Sequence, residues 1–201
     1  MSGKRKKNGS WFFEIYRELF RFLWESKNFI YFVIGLFIFV SVSVTLGLQN
    51  SQLNLILLEQ IERLLLEFEG LGIFQTIAKI FLNNFLASFL GVVLGVFLGI
   101  PTVLFILTNG YMVGFVSSLA IKERGIFSLW MLLPHGIFEL PAIFISFGLG
   151  LRLGMFILAR DPLKELKRSV RMIVGVFLFI VMPLLIIAAV IEGLFMVYWI
   201  V

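Results

Sequence analysis

The chain has 201 residues, of which 60% are hydrophobic, and its formal net charge at pH 7 is +5. A soluble domain of this length could not bury so much apolar surface, because the ratio of surface to volume limits the buried fraction. Cysteine is absent and histidine occurs once, which excludes disulfides, thiolate metal sites, cysteine nucleophiles and the two-histidine HExxH metalloprotease site. The composition therefore predicts a multi-pass membrane protein with an all-α fold.

The N-terminal region, residues 1–28, combines a basic tail with an amphipathic helix. The tail reads MSGKRKKNGS, and WFFEIYRELFRFLWESK follows at 11–27. In this helix, aromatic and aliphatic side chains recur at a spacing of three to four residues, largely opposite the charged ones. The pattern favours a helix that lies in the membrane–water interface on the cytoplasmic side.

Five apolar segments are predicted to cross the bilayer and to form one bundle domain over residues 29–201. Their bounds are about 29–48, 78–98, 102–121, 135–158 and 172–195. The apolar stretch 78–121 is about twice as long as one span, so it must turn back. The predicted turn is GIPT at 99–102, because the residue before a proline is pushed out of the α region. Pro183 frees the carbonyl of Phe179 and predicts a kink in the fifth span.

Residues 51–70, SQLNLILLEQIERLLLEFEG, form a second amphipathic segment between the first two spans. Leucine and isoleucine side chains follow one helical stripe, and the polar side is mainly acidic. An acidic helix is poorly suited to the anionic cytoplasmic leaflet. We therefore expect an external helix that lies on the membrane surface or docks a partner.

The distribution of positive charge predicts the orientation of the chain in the cell membrane. The tail and first helix hold seven Lys or Arg residues and the 160–171 loop holds five, whereas the two opposite connections share four. Positively charged loops stay in the cytoplasm. We therefore expect a cytoplasmic N-terminus and an external C-terminus. Arg152 is expected to extend its side chain toward the cytoplasmic surface.

The stretch LLPHGIFELPA at 132–142 holds the single histidine within an apolar run. Pro134 is at the position that proline favours at the start of a helix. His135 and Glu139 are four residues apart and therefore share one helical face. Pro141 has no backbone N–H and leaves a carbonyl free one turn earlier. The motif predicts a helix start that gathers a carboxylate, an imidazole and a bare carbonyl.

Asn83 and Asn84 begin the second span at the same expected depth as His135 and Glu139, and Glu192 reaches that depth from the fifth span. We expect one polar cluster in the outer half of the membrane, formed by Asn83, Asn84, His135 and Glu139. One interpretation is that these residues form hydrogen bonds that join the helices and have no further function. The other is a site for a proton, a cation or a small polar ligand, because buried ionisable groups are costly in lipid. One histidine and one or two carboxylates are few ligands for a metal, so neither a metal nor a cofactor is expected.

Glycines recur every four residues in two of the spans. Gly91, Gly95 and Gly99 form a double GxxxG pattern in the second span, and Gly110 and Gly114 repeat the spacing in the third. Glycines at this spacing let two helix backbones approach closely. We expect close packing between the second and third spans, with a homodimer as an open alternative.

The Asn pair, NGYMVG at 109–114 and PHGIFELPA at 134–142 together resemble the stage II sporulation protein M family, over about residues 78–158. The resemblance carries the family's characteristic polar and backbone positions to Asn83 or Asn84, Asn109, Gly110, Pro134, His135, Gly136 and Glu139. It implies a helical membrane bundle without established catalysis. The family's namesake serves in a membrane complex with cell-wall-remodelling partners during engulfment.

Three classes of function are compatible with these features. The favoured one is a non-enzymatic scaffold that docks other membrane proteins, and the alternative is a transporter or channel-like component built on the polar cluster. An intramembrane enzyme is the third, since His135 could activate Ser146, but no nucleophile motif accompanies the pair. We therefore expect no catalytic residues. The expected partners are the lipid bilayer and other membrane proteins, not nucleic acid.

Overall fold

The structure is a computed structural model that describes residues 10–199, without the side chains of residues 10–12, 65, 131–135 and 197–199. Its α-helices are α1 (Ser10–Glu25), α2 (Lys27–Thr45), α3 (Ser51–Phe68), α4 (Ile73–Val93), α5 (Ile100–Arg124), α6 (Leu133–Gly154), α7 (Pro162–Val176) and α8 (Met182–Trp199). Short 3-10 segments continue α4 and α6 at their C-terminal ends and precede α6. Within these residues every regular element is helical, so the predicted all-α fold is confirmed.

Five helical segments of the described residues are long and apolar enough to cross a membrane. They are Lys27–Thr45, Ile73–Val96, Ile100–Arg124, Gly136–Leu158 and Pro162–Met196. The prediction of an integral, multi-pass membrane protein is therefore confirmed. Consecutive spans alternate in direction, so α1 and the start of α7 lie at one end of the bundle, termed the α1 side. The opposite end, which holds α3, is termed the α3 side.

The fifth span begins earlier than the sequence predicts. The stretch from residue 162, expected as part of a loop, is already the first turn of α7. The Asp161 carboxylate accepts a hydrogen bond from the backbone N–H of Lys164 at 3.2 Å, and Pro162 begins the helix. At its other end α7 continues into α8 through a π-helical turn, Phe177–Val181. This turn comes directly before Pro183, and it is the local distortion that a helix accommodates near a proline.

The connection between α4 and α5 is a short turn with left-handed backbone. Leu98 has a φ of 57° and Gly99 a φ of 71°, and α5 begins at the next residue. A side chain at Gly99 would be strained by this φ and would also meet Leu151 of α6. The turn lies at the predicted GIPT stretch, with Pro101 in the first turn of α5, where no backbone N–H is needed.

The glycines of α4 have their closest contacts on α6, whereas α5 was the predicted partner and reaches them through the Thr102 hydroxyl, which donates to the Gly91 carbonyl at 2.7 Å. A Cβ atom on Gly95 would overlap the backbone carbonyl of Gly150, and one on Gly91 would overlap the Phe147 ring. Gly154 in turn lies against the backbone at Gly99. Close approach of two backbones needs small residues on both helices, and α6 offers its own glycines at the matching heights.

The glycines of α5 instead contact α2, which runs parallel to it. The Ser41 hydroxyl donates to the Gly110 carbonyl at 2.9 Å, and the Thr45 hydroxyl lies 3.2 Å from the Gly114 carbonyl oxygen. A Cβ atom at Gly114 would overlap the Ser41 backbone. Small hydroxyl side chains on α2 therefore complement the glycine face of α5. The glycines of both patterns are used within this chain, which leaves them unavailable as a homodimer surface.

The amphipathic helix α1 is docked on the bundle. Leu19 and Phe22 are almost fully buried, in one apolar cluster with Leu149 of α6, Ile173 of α7 and Leu185 of α8. Burial of one side chain of this size stabilises the fold by roughly 1.5–3 kcal/mol relative to its exposure in water. The helix expected at the membrane–water interface is thus held against α7 at the α1 side.

Candidate functional site

A cavity of about 490 Å³ lies on the α3 side, where α3 runs over the ends of α4, α6 and α8. Its polar lining comprises Glu67, Lys79, Asn83, Asn84, Glu139 and Glu192, and its apolar lining includes Ile61, Leu64 and Phe68 of α3. This space is termed the α3 cavity. It brings together three of the four residues predicted to form the polar cluster, and it adds Glu192.

The two asparagines enter the cavity from α4. Asn84 is only 8% exposed and Asn83 is exposed at the cavity edge. No hydrogen bond joins either amide to another side chain that the structure describes. A buried amide without a partner costs free energy, because its hydrogen bonds to water are lost on folding. Asn84 is therefore placed to bond a water molecule or a polar ligand inside the cavity.

The carboxylates of Glu139 and Glu192 face the cavity from α6 and α8. Both carboxyl groups line the same cavity, so a charge on one acts on the other. Like charges repel more strongly where little water screens them. A cationic group between the two carboxylates would relieve this repulsion, so the floor of the cavity is suited to a positive charge.

The mouth of the cavity is closed on one side by an ion pair. Lys79 of α4 lies 2.7 Å from the Glu67 carboxylate of α3, and it donates to the Glu67 backbone carbonyl at 3.1 Å. Its ammonium group also lies 5.1 Å from the centre of the Phe68 ring. These contacts fix the C-terminal end of α3 over the cavity. They also neutralise Lys79, so the other ionisable groups of the described lining are the carboxyl groups of Glu139 and Glu192.

The N-terminal end of α3 is fixed by a second polar network. The Tyr111 hydroxyl of α5 accepts a hydrogen bond from the Asn50 backbone N–H at 2.8 Å and donates to the Asn54 side chain at 2.9 Å. Asn50 also caps α3, since its side chain accepts from the N–H groups of Gln52 and Leu53. Between these two ends the helix leaves large apolar side chains uncovered, and Leu55 is 68% exposed. Thus α3 is a strap held at both ends.

Two buried hydroxyls continue the polar faces of α4 and α6 below the cavity. Ser88 follows Asn84 by four residues and Ser146 follows Glu139 by seven, so each shares a helical face with the cavity residue above it. Both hydroxyls are buried, and neither has a hydrogen-bond partner among the residues that the structure describes. Further toward the α1 side, the backbones of Gly95 and Gly150 are in contact and close the space between the helices.

The other residues of the LLPHGIFELPA motif have different environments. The backbone of His135 and Pro134 belongs to α6, but both side chains lie outside the described residues, so the histidine stays a prediction as a cluster member. A Cβ atom on Gly136 would meet the Leu140 side chain of its own helix at ordinary contact distance. Pro141 lies within α6 with its ring exposed, which leaves one backbone carbonyl free in the turn before it.

Asn109 does not join the cavity. Its side-chain amide donates to the Phe105 carbonyl of its own helix at 2.7 Å. Two cavity residues, Lys79 and Glu67, were in turn not identified from the sequence. Lys79 lies four residues before Asn83 and so on the same face of α4, which is a signal the spacing contained. Glu67 approaches it only because α3 folds back over α4.

The comparison with protein families agrees with the resemblance carried by the asparagine, NGYMVG and PHGIFELPA elements. The model for the family Stage II sporulation protein M matches residues 28–195. The chain belongs to this family. The match extends beyond the residues 78–158 of the resemblance, includes every residue of the cavity apart from Met196, and begins after α1. The comparisons with curated proteins and with solved structures found no match.

Proposed function

We propose that this integral membrane protein is a non-enzymatic docking component of a membrane complex and that a partner protein binds at the α3 cavity. The observation that carries the proposal is that the cavity is open at the α3 side and closed by helix contacts toward the α1 side. A site that opens to one side only is suited to binding. Passage of a solute would need a continuous path through the bundle.

The lining of the cavity favours a basic side chain of the partner as the group that is bound. The carboxylates of Glu139 and Glu192 supply negative charge, and Asn84 supplies an amide that can orient a guanidinium or ammonium group. A charge pair with hydrogen bonds is strong when it is shielded from water. The uncovered leucines of α3 beside the cavity offer the apolar contact that surrounds such an anchor.

Photo-cross-linking in native membranes tests the proposal. A photoreactive residue replaces Leu58 on α3, and a control replaces Phe39, which is exposed on α2. We expect one protein product of constant mass at residue 58 and none of that mass at residue 39. The yield should fall strongly with Glu139→Gln, since losing one member of a shielded charge pair weakens binding by about 30-fold or more.

The fold of the variant has to be checked separately. Glu139→Gln keeps the shape and the hydrogen-bonding capacity of the side chain, so thermal stability in detergent should stay close to that of the wild type, whereas Glu139→Leu should lower it. If the product at residue 58 is equally abundant in wild type, Glu139→Gln and Asn84→Leu, the α3 cavity is not the docking site.

A transporter component is the second candidate, and Ser88 and Ser146 favour it. Their unpartnered hydroxyls extend the polar faces below the cavity, as along a path for a small cation. Uptake of radiolabelled methylammonium into proteoliposomes separates the two candidates. Docking predicts no uptake above that of empty liposomes. Uptake that disappears in Glu139→Gln would replace the docking proposal with transport.

A further inference from the structure

A concave notch of about 180 Å³ lies on the α1 side, between α1 and the first turns of α7. It is lined by Glu18, Arg21, Phe22 and Glu25 of α1 and by Arg168, Arg171 and Met172 of α7. This space is termed the arginine notch. The family match covers residues 28–195, so it includes the α7 wall of the notch but not the α1 wall.

One of the two notch carboxylates, that of Glu25, is already paired with two arginines. Glu25 lies 3.2 Å from Arg152 of α6 and 3.0 Å from Arg168 of α7. Arg152 is itself oriented by the Ser26 hydroxyl at 2.8 Å and the Phe22 carbonyl at 3.2 Å. This network joins three helices, so the two walls of the notch hold their positions before any ligand binds.

Two further arginines of the notch have no such partner. Among the described residues, neither Arg21 nor Arg171 forms an ion pair or a side-chain hydrogen bond. Both are exposed, one on each wall. Arg168 is already paired with Glu25 and also lies 3.8 Å from Glu165. The positive charge open to a ligand therefore comes from Arg21 and Arg171, against the single carboxylate of Glu18. Guanidinium groups on two walls of a concave space match the geometry of a phosphate, which accepts paired N–H bonds.

The surroundings of the notch place it at the level of lipid head groups. Phe13, Phe20 and Trp24 of α1 are highly exposed and recur at intervals of seven and four residues, so they form one face of the helix. Lys27 lies 4.2 Å from the centre of the Trp24 ring. Exposed aromatic and basic side chains at the end of a span are typical of the membrane–water interface. The notch faces the same layer.

We propose that the arginine notch binds the phosphate of an anionic phospholipid through Arg21 and Arg171, with Arg168 held beside them by its carboxylate partners. The lipid's acyl chains extend into the bilayer beside the exposed aromatic face of α1. Basic pockets beside membrane-spanning helices recognise anionic head groups in this way. The bound lipid would join α1 to α7 and add to the contacts that Glu25 makes.

Native mass spectrometry of the purified full chain measures lipid binding directly. The protein is titrated in detergent with dioleoyl phosphatidylglycerol or, for comparison, dioleoyl phosphatidylcholine. We expect tighter binding of the anionic lipid by wild type. Each notch arginine should contribute about fivefold to the affinity, so Arg21→Gln with Arg171→Gln should lower it by about 25-fold.

The matched control is Arg160→Gln with Lys164→Gln, which removes the same charge from exposed positions near the notch. It should lower the affinity by no more than about threefold. Equal losses in the two double variants would show diffuse attraction and overturn the proposal. So would a wild type that binds both lipids alike.

Two further measurements address a double variant that does not fold and a ligand that is a soluble anion instead of a lipid. If the double glutamine variant is unstable, Arg21→Lys with Arg171→Lys keeps the charge and loses the paired geometry, and it should still bind the anionic lipid more weakly than the wild type. Inorganic phosphate should compete poorly, because it lacks the acyl chains. Full displacement of the lipid by phosphate at equal concentration would assign the notch to a soluble anion and overturn the proposal.

Discussion

The contact between α4 and α6 at Gly95 gives the sharpest test of the packing. In Gly95→Ala the new Cβ atom would lie 2.7 Å from the Cα atom of Gly150 and closer still to its carbonyl group. Carbon atoms in van der Waals contact are about 3.5–4.0 Å apart, so the two helices must separate locally by about 1 Å. No side chain can move aside to avoid this, because the neighbouring atoms are backbone.

The separation should weaken the contacts above and below Gly95 as well. Overpacking of a tight interior costs about 1–3 kcal/mol, and contact with backbone places Gly95→Ala toward the upper end. Gly35→Ala in α2 is the matched control, because a Cβ atom there meets no other atom within 4 Å. It should stabilise the helix by about 0.4–1 kcal/mol through the lower entropy of the unfolded chain.

Reversible unfolding in mixed micelles of a mild detergent and sodium dodecyl sulfate gives the free energies of unfolding. The fluorescence of the four tryptophans can follow the transition. We expect Gly95→Ala to be less stable than Gly35→Ala by roughly 1.5–4 kcal/mol. A difference within about 0.5 kcal/mol, the scatter of surface substitutions, would mean that Gly95 faces lipid and that the assignment of α6 as its partner is wrong.

The remaining predictions concern orientation, the ion network and α3. Cysteines at Ser51 and Arg160 should react with an impermeant maleimide from opposite sides of the membrane, Ser51 from outside; labelling of both from one side would contradict five spans. Arg152→Leu should lower the free energy of unfolding by about 1.5–3 kcal/mol, because charged hydrogen bonds to α1 are lost. Arg63→Ala breaks an exposed ion pair on α3 and should lower it by less than about 0.5 kcal/mol in the same assay. Tyr111→Phe should accelerate hydrogen exchange in the first turns of α3 with a stability loss under about 1.5 kcal/mol; unchanged exchange would show that Tyr111 does not hold the strap.

The course of the chain through the membrane could be predicted because it depends on local properties. Length and apolarity identify the spans, and the GIPT stretch carries its own turn signal in Pro101. The start of α7 carried a signal too, since an aspartate followed by a proline is typical of a helix start. The run of basic residues favoured the prediction of a loop at 160–171. Charged residues are nevertheless compatible with a helix where it leaves the membrane.

The partners of each helix could not be predicted from the sequence. A GxxxG pattern shows that a backbone comes close, but not which one. Gly95 packs against α6 because Gly150 lies at the same height, and Gly110 packs against α2 because Ser41 does. Each contact therefore requires two distant segments of the chain to match in height. Arg152 shows the same limit. It was expected to extend to the surface, and instead it bonds Ser26, because α1 folds back over the end of α6.

The depth at which helices separate follows from the size of the residues between them. On the α1 side, α4 and α6 meet through glycines, and their backbones touch at Gly95 and Gly150. About three turns toward the α3 side the same faces carry Asn84 and Glu139, whose side chains need room and hydrogen-bond partners. Those larger polar groups therefore hold the helices apart where α3 can cover the gap. The sequence that closes the bundle at one end thus opens the α3 cavity at the other, and exchanging Asn84 for alanine should enlarge that cavity without loosening the glycine contact below it.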